Sequence, residues 1–134
     1  MTTKTIRQSA TFKVSPHEIY EALMDSKKHA AFTGDTAKIS RKVGGKFAVY
    51  GGELTGTNLE LTPDKKIVQA WRCEMGGWPK GHFSKATFAL SKVKGGTKLI
   101  FTQTGVPSSV AKDITHGWSE YYWQPMQAMF ASRA

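Results

Sequence analysis

Residues that could hold a metal or form a disulfide are spread thinly along this sequence. The four histidines, His17, His29, His82 and His116, lie far apart, and none has a second histidine or an acidic pair at metal-ligand spacing. The single Cys73 can join neither a thiolate zinc pair nor an internal disulfide. We therefore expect no metal site, and we expect Cys73 to be a small buried apolar side chain.

Recognisable catalytic motifs are missing as well. The sequence contains no Gly-x-Ser-x-Gly turn, no glycine-rich phosphate loop and no paired carboxylate motif. Glu53, Glu60 and Glu74 fall on predicted strands and could project into a cavity, but no acid–base partner can be assigned to them. We predict no catalytic residues, no cofactor and no enzymatic activity, and keep an enzyme of unassigned reaction as a third hypothesis.

The stretch GGWPKGHF, Gly76 to Phe83, carries unusual bulk for a connection between two strands. Its glycines permit uncommon backbone angles, and Pro79 restrains Trp78, so the indole ring can be held at a defined place. Three interpretations remain open. Trp78 packs over the end of the sheet, closes a cavity as a lid, or is offered to a partner.

Positive charge is the strongest compositional feature. The net charge is +9 over 134 residues, which favours acidic partners through long-range attraction. The cations cluster best at Lys38, Arg41, Lys42 and Lys46, which we predict to be either a solvated strand face or a docking site for an acidic protein. Nucleic acid is a less favoured partner, because the order of predicted elements does not match an RNA-recognition module.

The elements that must position these residues begin with a strand and two short helices. Residues 5–14 alternate with the period of a strand and end at Ser15, Pro16 and Glu18, which read as an N-cap, a first helical residue and a capping-box partner. The helical pattern of residues 18–32 breaks near Asp25 and Ser26. We therefore predict one strand followed by two helices.

The middle of the chain predicts an antiparallel sheet. Its six strand-like segments are residues 37–43, 45–51, 53–61, 65–75, 82–90 and 97–104. The separators are glycine pairs, a Pro-Asp pair and the Trp-Pro loop, and such short connections force hairpins. With the first strand, the sheet has about seven strands.

A long helix follows Pro107. Its predicted apolar face consists of Ile114, Trp118, Tyr121, Tyr122, Pro125, Met126, Met129 and Phe130. Pro125 removes one backbone donor and crowds the carbonyl of Tyr121, so we expect a bend there. A face this apolar must be buried, and a sheet curled around the helix would bury it.

The size and hydropathy of the chain predict one soluble domain over residues 1–134. The apolar fraction of 40% is that of a globular protein, and no apolar run is long enough to span a bilayer. The N-terminus lacks the apolar centre of a signal peptide. We expect a cytoplasmic protein without membrane insertion.

The whole pattern resembles the START-like, or helix-grip, superfamily of α+β folds, in which a curved antiparallel sheet surrounds a long C-terminal helix. The segments GGKF (44–47), IVQAWR (67–72), WPKGHF (78–83) and GWSEYY (117–122) are similar to the C-terminal domain of the activator of heat-shock protein 90 ATPase. The resemblance runs from about Thr11 to Phe130. The family's eukaryotic co-chaperones carry an additional N-terminal domain, whereas this sequence starts directly with the START-like part. The resemblance therefore implies contact with a chaperone more strongly than it implies activation of the chaperone's ATPase.

Two leading hypotheses follow from the resemblance and from the residues. The first is a non-enzymatic, co-chaperone-like binding module that meets a heat-shock protein 90 type chaperone, or another acidic surface, through Trp78 and the basic cluster. The second is a carrier or sensor of a small hydrophobic ligand held between helix and sheet. The aromatic and apolar residues predicted to line that cavity, or else to fill a closed core, are Trp71, Phe83, Phe88, Phe101, Trp118, Tyr122 and Met126.

Overall fold

The computed structural model describes residues 1–131 and contains one seven-stranded sheet with helices on one face. The strands are β1 Thr3–Phe12, β2 Ala37–Ile39, β3 Lys46–Val49, β4 Leu54–Thr62, β5 Lys66–Cys73, β6 Ser84–Val93 and β7 Gly96–Pro107. The helices are α1 Pro16–Met24, α2 Ser26–Thr33, α3 Ala111–Trp118 and α4 Gln124–Ala131, with a π-helical turn over Ser119–Trp123. We call residues 111–131 the C-terminal helix.

The sheet is antiparallel throughout and has the order β1-β7-β6-β5-β4-β3-β2. Strands β2 to β7 therefore form a meander, and the first strand pairs with the last. The predicted helix-grip fold, with seven strands and two short helices after the first strand, is confirmed.

The two short helices begin and end at the predicted residues. Ser15 caps α1, since its Oγ accepts a hydrogen bond from the backbone N–H of Glu18 at 3.4 Å. Asp25 ends α1 and caps α2, accepting from the N–H of Lys28 at 3.0 Å. Gly34, with φ of 74°, ends α2 in the left-handed conformation. These caps produce the turn that folds α1 and α2 over one end of the sheet.

One predicted strand is shorter than expected. Residues 40–45 do not continue β2 but form a loop that is held by buried Asn58. The side-chain amide of Asn58 donates to the carbonyls of Ser40 at 2.7 Å and Lys42 at 3.1 Å, and its backbone also bonds to Gly44 and Gly45. An amide side chain thus satisfies loop carbonyls that a ladder would otherwise pair.

The core lies between the concave face of the sheet and the C-terminal helix. Trp118 is at its centre, with ring centroids 4.3 Å from Phe101, 5.3 Å from Trp71 and 4.7 Å from Tyr122. Trp123 stacks on Trp118 with the two planes 18° apart. This aromatic packing fixes the height of the helix above the sheet, and with it the shape of the opening beside it.

Candidate functional site

One opening on the helix side of the sheet is a groove of about 290 Å³ between the C-terminal helix and the ends of β4 and β5. We call it the aromatic groove. Its lining residues are Tyr50, Glu53, Leu54, Trp71, Cys73, Met75, Asp113, Ile114, Gly117, Trp118, Tyr121 and Tyr122. Its volume lies near the lower end of the range for small-molecule sites, about 300–1,000 Å³.

The π-helical turn shapes one wall of the groove. Pro125 has no N–H to offer to the carbonyl of Tyr121, so an α-helical hydrogen bond is missing there. The chain widens by one residue, and the N–H of Gln124 bonds instead to the carbonyl of Ser119. The carbonyl of Tyr121 accepts a hydrogen bond from the hydroxyl of Tyr50. The predicted bend at Pro125 is thus a π-helical turn. The Tyr121 carbonyl, which has lost its partner within the helix, is hydrogen-bonded to Tyr50 across the groove.

This extra residue changes which side chains face the core. Tyr122 and Trp123 are both buried, whereas Tyr121 is 52% exposed at the groove. The prediction that Tyr121 belongs to the buried apolar face is therefore wrong. It assumed a regular period of 3.6 residues, which the π-helical turn interrupts.

Tyr50 is held at the groove by an unusual backbone conformation. Its φ is +52°, and the following Gly51 has φ of +68°. A left-handed conformation is costly for tyrosine, and such strain concentrates at functional sites. Burial raises the pKa of Tyr50 to about 12, with smaller contributions from Tyr121 and Asp35, so the hydroxyl keeps the proton that it donates.

The base of the groove is fixed by a chain of buried hydrogen bonds. The indole N–H of Trp118 donates to Oε1 of Gln103 at 2.8 Å, and Nε2 of Gln103 donates to Oγ of Ser84 at 2.9 Å. The hydroxyl of Ser84 then donates to the carbonyl of Trp71 at 2.8 Å. Each polar atom along this chain has a partner, so two tryptophans can be buried in defined orientations.

A smaller space of about 20 Å³ lies behind the groove, deeper between helix and sheet. It has room for about one water molecule. His29 lines it, is only 2% exposed, and its Nε2 lies 3.0 Å from the hydroxyl of Tyr122. Burial lowers the pKa of His29 to about 4, so the imidazole is neutral at pH 7. Among residues 1–131, no group hydrogen-bonds to its Nδ1.

The seven predicted cavity residues divide into three groups. Trp71, Trp118 and Tyr122 line both spaces, and Phe88 lines the inner one. Phe101 and Met126 are fully buried and belong to the packed core instead.

Phe83 was assigned to the wrong face. The Phe83 side chain is 46% exposed, and Cζ of the Arg72 guanidinium lies over its ring, 5.9 Å from the ring centroid. Strand β6 begins one residue later, and its inward positions are Ser84, Ala86 and Phe88, so Phe83 points outward. The prediction that it lines the cavity is wrong.

Trp78 is folded down onto the sheet end. It is 8% exposed, and its ring lies edge-on to Trp71 at 5.5 Å between centroids. Its indole N–H donates to the carbonyl of His82 at 2.7 Å, within the same loop. In this conformation the ring is not available to a partner, and it supports Trp71 at the base of the groove from the side.

The rest of the Trp-Pro loop is fastened in place from both sides. The guanidinium of Arg72 donates to the carbonyls of Pro79 at 2.9 Å and His82 at 3.3 Å. The ring of His82 bonds to the carbonyl of Gly105 on β7 through Nε2 at 2.7 Å. Because a carbonyl only accepts, this bond requires a proton on Nε2. His82 therefore has a structural role, fastening the Trp-Pro loop to β7.

Among the residues that the structure describes, the charged side chains lining the aromatic groove are the carboxylates of Glu53 and Asp113. Burial raises the pKa of the Cys73 thiol; the charges of Glu53 and Glu74 add to this effect, and a backbone hydrogen bond from Met75 and the charge of Arg72 oppose it. The carboxylate of Glu53 thus lies near enough to act on the groove wall. A thiol with a raised pKa is a poor nucleophile, so Cys73 offers no covalent chemistry.

The other face of the sheet is basic. Because side chains alternate along a strand, residues paired across strands at outward positions share this face. Among the described strand residues, seven cations point outward, and Glu60 is the one carboxylate that does so. We call this surface the basic sheet face, and its cations are Arg7, Lys38, Lys46, Lys66, Arg72, Lys85 and Lys98.

Small side chains separate the cations of this face. Lys46 is paired with Thr57, Thr57 with Ala70, and Ala70 with Lys85, so the two lysines are three strands apart. At about 4.8 Å per strand, their backbones are separated by about 14 Å. A flat partner surface could approach between them without obstruction.

The predicted basic cluster is divided by the fold. Lys38 and Lys46 lie on the basic sheet face, whereas Lys42 lies in the loop held by Asn58. Arg41 forms an ion pair with Glu21 of α1, so its charge is partly neutralised. The contribution of Lys85, Lys98 and Arg7 could not be recognised from the sequence alone, because only strand register brings them together.

The described residues also bear on metal binding and on membrane insertion. Among residues 1–131, no three or more His, Cys, Asp or Glu side chains are close enough together to hold a metal ion. No helix in the same residues is long and apolar enough to cross a bilayer.

Comparison with known proteins identifies relatives of this chain. Residues 13–131 match the family described as activator of Hsp90 ATPase homolog 1-like protein. An activator of 90 kDa heat shock protein ATPase homolog from Dictyostelium discoideum is 36% identical over 118 residues, covering 87% of this chain and 30% of that protein. Homolog 1 from Homo sapiens is 32% identical over 120 residues, covering 90% of this chain and 35% of that protein.

The chain therefore spans about a third of the length of these curated relatives. Among solved structures, an HSP90 activator from Plasmodium falciparum superposes with a TM-score of 0.88 at 24% identity, covering 95% of this chain and 96% of that one. The Aha1 dimer from Colwellia psychrerythraea gives 0.80 at 18% identity, covering 98% and 99%. At such identities the structures establish the shared fold, and the sequence match establishes the relationship: this chain belongs to the activator of Hsp90 ATPase homolog 1-like protein family.

Proposed function

We propose that this domain is a non-enzymatic binding module of the co-chaperone type, acting in the cytoplasm, which docks an acidic surface of a 90 kDa heat-shock chaperone. The observation that carries this proposal is the basic sheet face. Seven cations point outward from its strands, and two of them are paired with a carboxylate: Lys66 with Glu60 at 3.3 Å and Arg72 with Glu74 at 2.9 Å. The family membership supports the choice of chaperone, since its named relatives activate such an ATPase.

The physical basis of docking is complementary charge over a flat surface. Attraction between a basic and an acidic surface speeds association and excludes basic competitors. The threonine and alanine residues between the lysines let the two surfaces approach closely. Because exposed charges are screened over about 10 Å at 0.1 M salt, binding should weaken as salt is added.

The test is a binding titration of the domain against the purified chaperone at low and high salt. We expect binding at low salt, and we expect the double charge reversal K46E/K85E to weaken it by about tenfold or more. The control K27E/K28E changes the net charge equally but on exposed positions of α2. Equal losses in the two variants would contradict docking on the sheet, and no complex at low salt would contradict chaperone binding altogether.

A second function is supported by a different observation, the aromatic groove. We propose that the groove holds a small, largely apolar ligand, because its volume and its aromatic base are those of a small-molecule site. Native mass spectrometry of the domain purified from its own cells should detect a bound molecule. The variant W118F keeps an aromatic ring but removes part of the ring surface that lines the groove, so it should retain less of that molecule. The two functions use opposite faces of the sheet, so either can be lost without the other.

A further inference from the structure

The charge lining the aromatic groove is opposite in sign to that of the protein. The chain carries 19 Lys and Arg residues against 10 Asp and Glu residues, yet within residues 1–131 no Lys or Arg lines the groove. Two carboxylates do, from Glu53 beside β4 and from Asp113 on α3. They come from opposite walls, one from the sheet and one from the helix.

Both carboxylates are free to act on a ligand. Within residues 1–131, neither has a Lys, Arg or His nitrogen within 4.0 Å. The basic surfaces of the domain would repel an organic cation, whereas the carboxylates of Glu53 and Asp113 would attract one. Both residues are exposed, so this attraction should weaken as salt is added.

The rings of the groove add a second attraction for a cation. Five aromatic side chains form a continuous set, with Tyr50 lying 5.8 Å from Tyr121 and 5.9 Å from Tyr122, Tyr122 lying 4.7 Å from Trp118, and Trp118 lying 5.3 Å from Trp71 between ring centroids. The faces of such rings carry negative potential, and a cation within about 6 Å of a ring centroid is attracted to them. Aromatic rings combined with nearby carboxylates are the chemistry that recognises quaternary and other organic ammonium groups.

We propose that the aromatic groove selects a small organic cation, with an apolar or aromatic body packed on Trp71 and Trp118 and an ammonium group between Glu53 and Asp113. This inference rests on the second proposed function, that the groove holds a ligand, and adds the ligand's chemical class. The volume of about 290 Å³ suits a molecule of one or two rings rather than a length of peptide.

Three probes that share a naphthalene ring and differ in charge test the proposal. They are naphthalen-2-ylmethyl-trimethylammonium, the neutral naphthalen-2-ylmethanol and the anionic naphthalene-2-carboxylate. Binding is followed by quenching of tryptophan fluorescence, because Trp71 and Trp118 lie at the base of the groove. We expect the cation to bind about fivefold or more tightly than the neutral probe, and the anion to bind more weakly than either.

The variant E53Q/D113N removes both charges while keeping side-chain shape, and we expect its preference for the cation to fall to about twofold or less. The matched control E60Q/D64N removes two carboxylates outside the groove and should keep the wild-type preference. Neutral binding without preference for the cation, or a preference that survives in E53Q/D113N, would overturn the proposed selection while leaving a ligand site in place. Failure of all three probes to bind would overturn the ligand site as well.

Discussion

Replacing His29 with glutamine tests how the buried imidazole makes the fold sensitive to acid. His29 is 2% exposed and bonds through Nε2 to the hydroxyl of Tyr122, joining α2 to the C-terminal helix. Burial lowers its pKa from 6.5 to about 4. As the pH falls below 6.5, the unfolded chain therefore takes up a proton that the folded chain does not.

The sign and size of the effect follow from that difference. The stability conferred by neutral His29 is fully present above pH 6.5 and is lost as the pH falls through about 4. One pKa unit is worth about 1.4 kcal/mol, so the total loss is about 3 kcal/mol, of which about 2.5 kcal/mol is reached by pH 4.5. Glutamine can replace the hydrogen bond to Tyr122 but cannot take up the proton.

The assay is urea unfolding of the wild type and of H29Q at pH 7.5 and pH 4.5. We expect the free energy of unfolding of the wild type to fall by about 2.5 kcal/mol more than that of H29Q between the two pH values. The control variant H116Q removes an exposed imidazole and should retain the wild-type decline. Equal declines in the wild type and H29Q would refute the assignment of acid sensitivity to His29.

Three further substitutions test the packing around the groove. Y50F removes the hydrogen bond to the Tyr121 carbonyl and should lower the free energy of unfolding by about 1 kcal/mol; an unchanged urea midpoint would show that the bond contributes nothing. G56A would place a Cβ 1.8 Å from the carbonyl oxygen of Ala70, so we expect a loss of about 1–3 kcal/mol or more and a lower melting temperature. W78A should lower the free energy of unfolding by about 3–5 kcal/mol, because Trp78 is buried, whereas F83A should lower it by about 0.5 kcal/mol, because Phe83 is exposed. Similar melting temperatures for the two variants would contradict the packing of the Trp-Pro loop.

The sequence predicts the elements of this fold well because each has a local cause. Ser15 and Pro16 start α1 through capping and a fixed φ, and the glycine pairs and Trp-Pro loop separate strands by turn chemistry. These features act over a few residues and need no knowledge of the rest of the chain. The burial of the C-terminal helix follows from its apolar pattern, since a face carrying Trp118, Met126 and Phe130 must be covered.

The site itself depends on contacts that no local pattern specifies. Whether Phe83 points inward or outward depends on a single residue of strand register. Whether Tyr121 is buried or exposed depends on the one residue added by the π-helical turn. The burial of His29 and Gln103 depends on partners that lie 93 and 15 positions away in the chain, respectively. Pro125 signals the bend, but only the approach of Tyr50 from another element determines how the freed carbonyl is satisfied.

The pairing of β1 with β7 has a consequence for how the chain is made. Thr3 lies opposite Pro107, so β1 has no partner until β7, at the far end of the domain, has also been synthesised. The six strands of the meander can meanwhile form from neighbouring hairpins, which close short loops and so form early. We expect β1 to wait as an unpaired segment and to complete the sheet late, at about the time when the C-terminal helix first becomes available to cover its inner surface.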